Sequence, residues 1–239
     1  MDRFDHFASA GYVILPNVLA QSEIEQAQQR CAEALRTHHA DDSVLAGRAG
    51  LAYGARNILR LWPDVVELVR ARGLIGPLRR ILGPDGGLVR GLYFDKPPGR
   101  SWALPWHRDM TVAVKEHGRL GVFNKPTRKA GVPHVEAPAE LLAGMVTARI
   151  HLDAMTPHNG PLSVIPGSHD LANSADRDGI ALNCEAGDVL LMRPLLLHAS
   201  AHCDADHPQH RRVVHLEFTP TRELADGYAW HDFIALDAV

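Results

Sequence analysis

Three pairs of histidine and aspartate, each separated by one residue, are the first feature of this chain that could do chemistry. The pairs stand at positions 107 and 109, 151 and 153, and 202 and 204. Imidazole and carboxylate groups bind divalent metal ions, and residues two apart on a strand share one face. With 15 His and 18 Asp in 239 residues, chance yields about one pair, the product of the two counts divided by the length. The spacing alone therefore assigns no site.

The surroundings of the three pairs favour the first one. His107 and Asp109 lie within "LPWHRDMTVAV", an apolar and aromatic run typical of a strand. Burying polar groups in such a run costs free energy unless they are paired or bound to a metal. The pair at 151 and 153 ends a strand at a hairpin, where Asp is an ordinary turn residue, and the pair at 202 and 204 lies in a polar loop.

A third ligand is offered by His198, the one histidine of the run "EAGDVLLMRPLLLHAS". At this point a buried histidine with a purely structural role is equally compatible with the pattern. Two His and one carboxylate on one face would leave open coordination positions, as non-haem Fe(II) oxygen chemistry requires. The next strand, "RRVVHLEF", opens with Arg211 and Arg212. An arginine there could pair with the carboxylate of a co-substrate, although either residue alone also suits a solvated strand end.

Composition excludes several other classes of protein. The net charge of −3 gives no reason to expect binding to nucleic acid or to an anionic membrane surface. The chain has no run of 18 apolar residues and no signal-peptide pattern at its start, so we expect neither a membrane span nor secretion. Three widely separated cysteines form no disulfide framework. We therefore expect a cytoplasmic protein.

The elements that must position these residues are helical first and then mainly β. Ser22 and Glu25 predict a capping box, followed by apolar residues at helical spacing that should pack on a sheet. A short strand at 11–19 precedes this helix, and a second helical region covers about 63–82. From Leu88 onward, short β-rich runs alternate with turns, which predicts a sandwich or barrel. Residues 115–143 interrupt them as a polar loop, and loops of that length are often functional or mobile.

Five segments together resemble the phytanoyl-CoA dioxygenase family of Fe(II)- and 2-oxoglutarate-dependent oxygenases. They are "FDKPPG", "WHRD", "NGPLSVIPGSH", "LLLHAS" and "RRVVHLEF", which run from about residue 92 to 219. The resemblance implies a mainly β fold, the double-stranded β-helix or cupin-like jelly roll, with N-terminal helices packed on one sheet. It also implies one oxygenase domain over 1–239. We divide that domain into a helical support (1–87), a jelly-roll core (88–219) carrying the insert 115–143, and a C-terminal tail (220–239).

The resemblance also implies roles for individual residues. It matches His107, Asp109 and His198 to the iron ligands, and Arg211 to the arginine that pairs with the 5-carboxylate of 2-oxoglutarate. Arg212 is the alternative, because the preceding loop is longer than in many members and the register could slip. Three more residues match positions that contact the co-substrate in the family: Ser200, Leu92 and Arg149. Arg149 departs from the family pattern, which has an aromatic residue at that position.

The implied reaction oxidises a small organic substrate with O₂ while 2-oxoglutarate is converted to succinate and CO₂. Because Asp109 is present, where related halogenases have a small residue, hydroxylation or another oxidation is favoured. We expect a monomer or homodimer. Residues 115–135 carry a local net charge of +4, from five basic residues and Glu116. A solvated loop explains this charge, and a lid that guides an anionic or polar substrate is the functional alternative. Two alternative functions remain. One is a cupin-like metalloenzyme that does not use 2-oxoglutarate, and the other is a non-catalytic binding protein on the same fold.

Overall fold

The fold is built mainly from antiparallel strands, with most of the helices in the first third of the chain. The computed structural model describes residues 2–47, 50–119, 121–172 and 178–239. Within these ranges the strands are Tyr12–Leu15 (β1), Val44–Ala46 (β2), Ala52–Ala55 (β3), Gly87–Asp95 (β4), Leu104–His107 (β5), Thr111–Ala113 (β6), Asn124–Lys129 (β7), Val132–Glu136 (β8), Val146–His151 (β9), Leu162–Val164 (β10), Ile180–Ala181 (β11), Val189–Met192 (β12), His198–Ser200 (β13), Arg212–Thr219 (β14) and Ile234–Ala235 (β15). The α-helices are Arg3–Ala10 (α1), Gln21–Thr37 (α2), Ile58–Leu61 (α3), Arg72–Leu82 (α4) and Ala139–Gly144 (α5), and Pro63–Arg70 is a 3₁₀ helix.

Three sheets organise these strands. The major sheet has the order β1-β12-β9-β14-β4-β3-β2, with β15 added to β4. The minor sheet has the order β11-β10-β13-β5, and a third sheet has the order β6-β8-β7. The major and minor sheets together form the predicted double-stranded β-helix, a jelly roll. Among the described helices, none has the length and hydropathy that a membrane span requires.

Helix α2 packs on the major sheet through the apolar face that its sequence predicts. Its four buried residues are Ile24, Ala27, Cys31 and Leu35. They join one hydrophobic cluster with α3, the 3₁₀ helix, α4 and residues of β9 and β14. The predicted capping box at Ser22 and Glu25 is wrong by two residues. The helix begins at Gln21, and the Glu23 carboxylate accepts the Ala20 N–H at 2.7 Å.

Alternate residues of β14 face the two sides of the major sheet, as strand geometry requires. Val214, Leu216 and Phe218 belong to the cluster under the helices, whereas His215 and Glu217 line a cavity on the opposite face. Both faces of this strand are therefore buried. The cavity lies between the major and minor sheets, and its wall reaches the third sheet at Thr111 and Lys129.

The insert 115–143 is not the single long loop that its composition predicts. Residues 124–136 form the β7–β8 hairpin, which pairs with β6, and α5 follows. Phe123 is buried against Tyr228, with ring centroids 4.7 Å apart. Apolar residues spread through the polar sequence anchor the hairpin in a hydrophobic cluster of its own. Trp230 of the C-terminal segment also belongs to this cluster.

Two runs that read as single strands are divided in the structure. The run 104–114 forms β5 and β6, and the run 187–200 forms β12 and β13. The strands β2 and β3 lie in a region where the sequence predicted no strand. They extend the major sheet, because β3 pairs with β4 at Gly54 and Phe94 and at Ala55 and Tyr93.

Candidate metal centre and co-substrate pocket

His107, Asp109 and His198 come together at one end of the minor sheet. His107 on β5 and His198 on β13 are cross-strand partners, and their ring centroids lie 4.2 Å apart. Asp109 follows β5, and its N–H donates to the Pro194 carbonyl at 2.9 Å. Each of the three side chains offers one ligand atom, and these atoms all lie within 4.8 Å of one another. Among the described residues, this is the one group of three or more potential ligands so arranged.

The hydrogen bonds of the two imidazoles prepare them to bind a metal. Nδ1 of His107 lies 2.7 Å from the Pro105 carbonyl, and Nδ1 of His198 lies 2.8 Å from the Leu196 carbonyl. A carbonyl accepts only, so each Nδ1 carries the proton and donates it. Each Nε2 then keeps its lone pair, and the hydrogen bond fixes the ring orientation, as is usual for metal-ligating histidines.

The charges at the centre also suit a divalent cation. Burial lowers the pKa of His198 to about 4, so this imidazole is neutral near pH 7. Burial alone would raise the pKa of Asp109, but His198, His215, His107 and Arg90 together hold it below the ordinary value. Its Oδ2 lies 3.7 Å from Nε2 of His198 and has no hydrogen-bond partner in the described part of the chain. A buried carboxylate oxygen without a donor, facing two imidazole nitrogens, fits a metal ion.

Two details of the sequence argument for this pair are wrong. Asp109 lies in the connection between β5 and β6, so strand alternation does not place it beside His107. The run around the pair is also less buried than its composition suggests, since Leu104 and Trp106 are 44% and 45% exposed. The hydrogen bond from Asp109 to Pro194, distant in sequence, holds the carboxylate near both histidines instead.

Within the described ranges, neither of the other two His-x-Asp pairs meets a third potential ligand. Asp153 accepts hydrogen bonds from Arg212, and Asp204 pairs with His158 at 2.8 Å. His151 is completely buried, and within the described residues neither of its ring nitrogens has a hydrogen-bond partner. Asp153 thus has a structural explanation as the partner of an arginine.

Arg211 and Arg212 have opposite environments. Arg212 forms hydrogen bonds to both carboxylate oxygens of Asp153, each at 2.7 Å. Arg211 is 3% exposed and lines the cavity that holds the three candidate ligands. Its Nη1 reaches only the Met155 sulfur at 3.8 Å, and its Nε has no acceptor in the described ranges. Burial lowers the pKa of Arg211 to about 10, so it remains a cation, and no described carboxylate pairs with it.

The cavity measures about 310 Å³ and is also lined by the other three residues matched to co-substrate contacts. Leu92 and Ser200 are 7% and 8% exposed. Arg149 is buried, and its Nη1 donates to Nδ1 of His215 at 3.2 Å, while its Nε lacks an acceptor among described atoms. The structure therefore gathers all seven predicted site residues around one cavity.

Several polar residues of the cavity wall were missed by the sequence reasoning. They are Arg56, Arg90, His215 and Glu217, whereas Lys129 is one of the five basic residues that the sequence pointed out in the insert. Some carried a signal: Arg90 precedes Leu92 by two residues on β4, and His215 and Glu217 lie four and six residues after Arg211, at the even spacing that places strand residues on one face. Nothing in the sequence around Arg56 indicates a site, because its position depends on the unpredicted pairing of β3 with β4.

Comparisons with known proteins identify the family and the fold. The family model described as phytanoyl-CoA dioxygenase (PhyH) matches residues 7–212. A search of curated protein sequences returned no match. Among solved structures, AviO1 from Streptomyces viridochromogenes Tue57 is similar over 91% of this chain and 95% of its own, at 22% identity and a TM-score of 0.64.

Two further solved structures have titles that name iron or the co-substrate. EctD from S. alaskensis with bound Fe covers 90% of this chain and 74% of its own, at 21% identity and a TM-score of 0.67. SnoK, titled a non-heme alpha ketoglutarate dependent carbocyclase, covers 94% and 87%, at 18% identity and 0.66. At these identities the similarity concerns the fold, while the family match covers most of the chain. The chain belongs to the phytanoyl-CoA dioxygenase family and is a non-haem Fe(II)- and 2-oxoglutarate-dependent oxygenase.

Proposed function

We propose that this chain oxidises a small organic substrate at an Fe(II) held by His107, Asp109 and His198, with Arg211 as the anchor of 2-oxoglutarate. One observation carries the proposal. A single cavity contains three converging ligand atoms and, on its wall, a buried guanidinium without a carboxylate partner among the described residues. Such a guanidinium is costly to bury unless a ligand supplies the missing charge.

The chain's own residues have separable tasks in this reaction. Bound Fe(II) would supply open coordination positions at which 2-oxoglutarate and O₂ react. The Nδ1–H groups of His107 and His198, tied to backbone carbonyls, keep the imidazoles aimed at the metal. Arg211 offers two parallel N–H groups that match a carboxylate. Ser200, Leu92 and Arg149 stand on the same wall and would complete the co-substrate site.

The dimensions of the cavity limit the substrate. A volume of about 310 Å³ lies at the lower end of the range for small-molecule sites. The same space must also hold 2-oxoglutarate, so the reacting part of the substrate is small. The polar wall favours a polar or anionic molecule, as the positive charge of the insert also suggests.

Iron content of purified variants tests the metal assignment. Asp109→Ala and His198→Ala should each lose most of the bound iron, whereas the matched control Asp153→Asn should keep one iron per chain. Succinate formation from 2-oxoglutarate, screened with small polar compounds, tests the reaction in the same preparations. Full iron occupancy in both ligand variants would refute the assignment, and loss of iron in Asp153→Asn alone would favour the pair at 151 and 153.

A further inference from the structure

A cluster of three basic side chains, Arg56, Arg90 and Lys129, lines the cavity away from Arg211. We propose that this cluster is the substrate's recognition site and that the substrate is an organic anion, held there by a carboxylate or phosphate group. The inference rests on the proposed function, and it adds the chemical class of the substrate and the residues that recognise it.

Three separate elements bring the cluster together. Arg90 lies on β4, directly opposite Glu217 of β14. Arg56 follows β3, which pairs with β4, and the neighbouring Asn57 side chain donates to the Ala130 carbonyl in the β7–β8 turn. Lys129 ends β7, immediately before that turn. The hairpin of the insert therefore contributes to the cavity as a structured wall that carries a cation.

The positive charge of the cluster is not balanced within the described part of the chain. Arg90 pairs with Glu217 at 2.9 Å. Lys129 donates to the neutral Thr111 hydroxyl at 2.8 Å. The Arg56 side chain has neither a hydrogen bond nor an ion pair to any described residue, although it is half-buried. Three cations thus share one carboxylate.

The electrostatic balance of the whole cavity leads to the same conclusion. Among the described residues, five basic ones line it, namely Arg56, Arg90, Lys129, Arg149 and Arg211, against the two carboxylates of Asp109 and Glu217. With histidines left out of the count, the net charge of this described lining is +3, in a chain of net charge −3. Fe(II) and the 2-oxoglutarate dianion cancel each other, so the excess remains after both have bound. Like charges confined in a cavity of low dielectric repel one another, and an anion that joins them is favoured.

The co-substrate anchor and the cluster start from separate stretches of backbone around the cavity. Arg211 immediately precedes β14, and Glu217, the partner of Arg90, lies six positions after it, which separates their backbones by about 20 Å of extended chain. 2-Oxoglutarate spans only a few carbon–carbon bonds. A molecule anchored at Arg211 therefore leaves the Arg90 end of the cavity to a second anion.

An apolar part of the same lining suggests how the rest of this anion is built. Tyr53, Trp102 and Leu104 line the cavity with apolar surface. The Tyr53 and Trp102 rings meet edge to face with centroids 5.6 Å apart, and the Arg100 guanidinium covers the Tyr53 ring at 3.5 Å. These contacts hold the two rings in place. A substrate with an apolar or aromatic body and one anionic end would contact both this apolar surface and the basic cluster.

Calorimetric titration of the enzyme loaded with Fe(II) and 2-oxoglutarate under nitrogen tests the inference. The probes are phenylacetate, phenyl phosphate, neutral phenylacetamide and cationic phenethylamine. We expect at least one anion to bind about tenfold or more tightly than the amide, as one charge-assisted hydrogen bond would produce. Arg56→Gln and Lys129→Gln should each remove about tenfold of that affinity. Arg128→Gln, an exposed change beside Lys129 on the same hairpin, should leave it unchanged.

The results separate this inference from the proposed function. 2-Oxoglutarate binding is titrated first in each protein, and its absence in the wild type would refute the proposed function itself. Retained 2-oxoglutarate binding without preference for an anion would overturn only the inference. An anion preference that survives both Arg56→Gln and Lys129→Gln would overturn it as well. The anion with the lower Kd, phenylacetate or phenyl phosphate, shows whether the cluster prefers a carboxylate or a phosphate.

Discussion

Replacing Arg211 by methionine removes the proposed anchor of 2-oxoglutarate while keeping a long, unbranched side chain in the same space. The site is 3% exposed, so water cannot readily solvate a carboxylate left there. Truncating one partner of a buried, hydrogen-bonded charge pair costs about 2–5 kcal/mol. The weak contact to the Met155 sulfur gives the guanidinium no competing acceptor that the ligand must displace.

These features favour a loss of about 3 kcal/mol, or roughly a 100-fold increase in the Kd of 2-oxoglutarate. Arg149 lines the same cavity and keeps some positive charge near the ligand, which limits the loss. Arg211→Lys retains the charge but not the two parallel donors, so its Kd should lie between those of the wild type and Arg211→Met.

Anaerobic calorimetry with Fe(II)-loaded protein measures these constants directly. Arg212→Met is the matched control, because this arginine pairs with Asp153. It should leave the Kd of 2-oxoglutarate within about threefold and should lower the free energy of unfolding by roughly 2 kcal/mol, since Asp153 loses its charged partner. If Arg212→Met loses the co-substrate and Arg211→Met binds it normally, the assignment of the anchor is wrong by one residue.

Three further predictions concern the metal, pH and packing. His107→Ala should lower the iron content measured on the purified protein to well below one per chain, and full iron occupancy would remove this residue from the ligand set. Burial, with Arg90 and Lys129 nearby, lowers the pKa of His134 from 6.5 to about 4. Stability from this neutral histidine is therefore present above pH 6.5 and is lost as the pH falls towards 4, by up to about 3 kcal/mol. In urea unfolding, His134→Leu should show a shallower loss of stability over that range, and an unchanged pH profile would contradict the reasoning. A Cβ at Gly91 would overlap Cγ2 of Ile58 on α3, so Gly91→Ala should lower the free energy of unfolding by about 1–3 kcal/mol, and a wild-type urea midpoint would show that α3 does not pack there.

Local patterns in the sequence explain much of what could be predicted. The spacing of Ile24, Ala27, Cys31 and Leu35 identifies the buried face of α2, and the structure confirms that face. Short apolar runs separated by turns predict a sandwich or barrel. The family pattern then specifies the double-stranded β-helix. The seven predicted site residues meet at one cavity because the β-helix brings β4, β5, β9, β13 and β14 around it.

What the sequence reasoning missed depends on contacts between distant segments. Asp109 is held by Pro194, 85 positions later, and no local rule indicates that hydrogen bond. Polar residues dominate the hairpin of the insert, so its composition does not indicate that one side of the hairpin is buried. Arg56 reaches the cavity because β3 pairs with β4 in the major sheet. Local propensity has little influence on such long-range pairing.

The weak visible absorption band formed by Fe(II) with bound 2-oxoglutarate under nitrogen reports on the metal ligands and the co-substrate anchor together. In the wild type the band should saturate at one Fe(II) per chain. It should be absent in His198→Ala at the same concentrations, whereas in Arg211→Met it should form only at much higher 2-oxoglutarate concentrations. A band of wild-type intensity and wild-type co-substrate dependence in both variants would contradict the account.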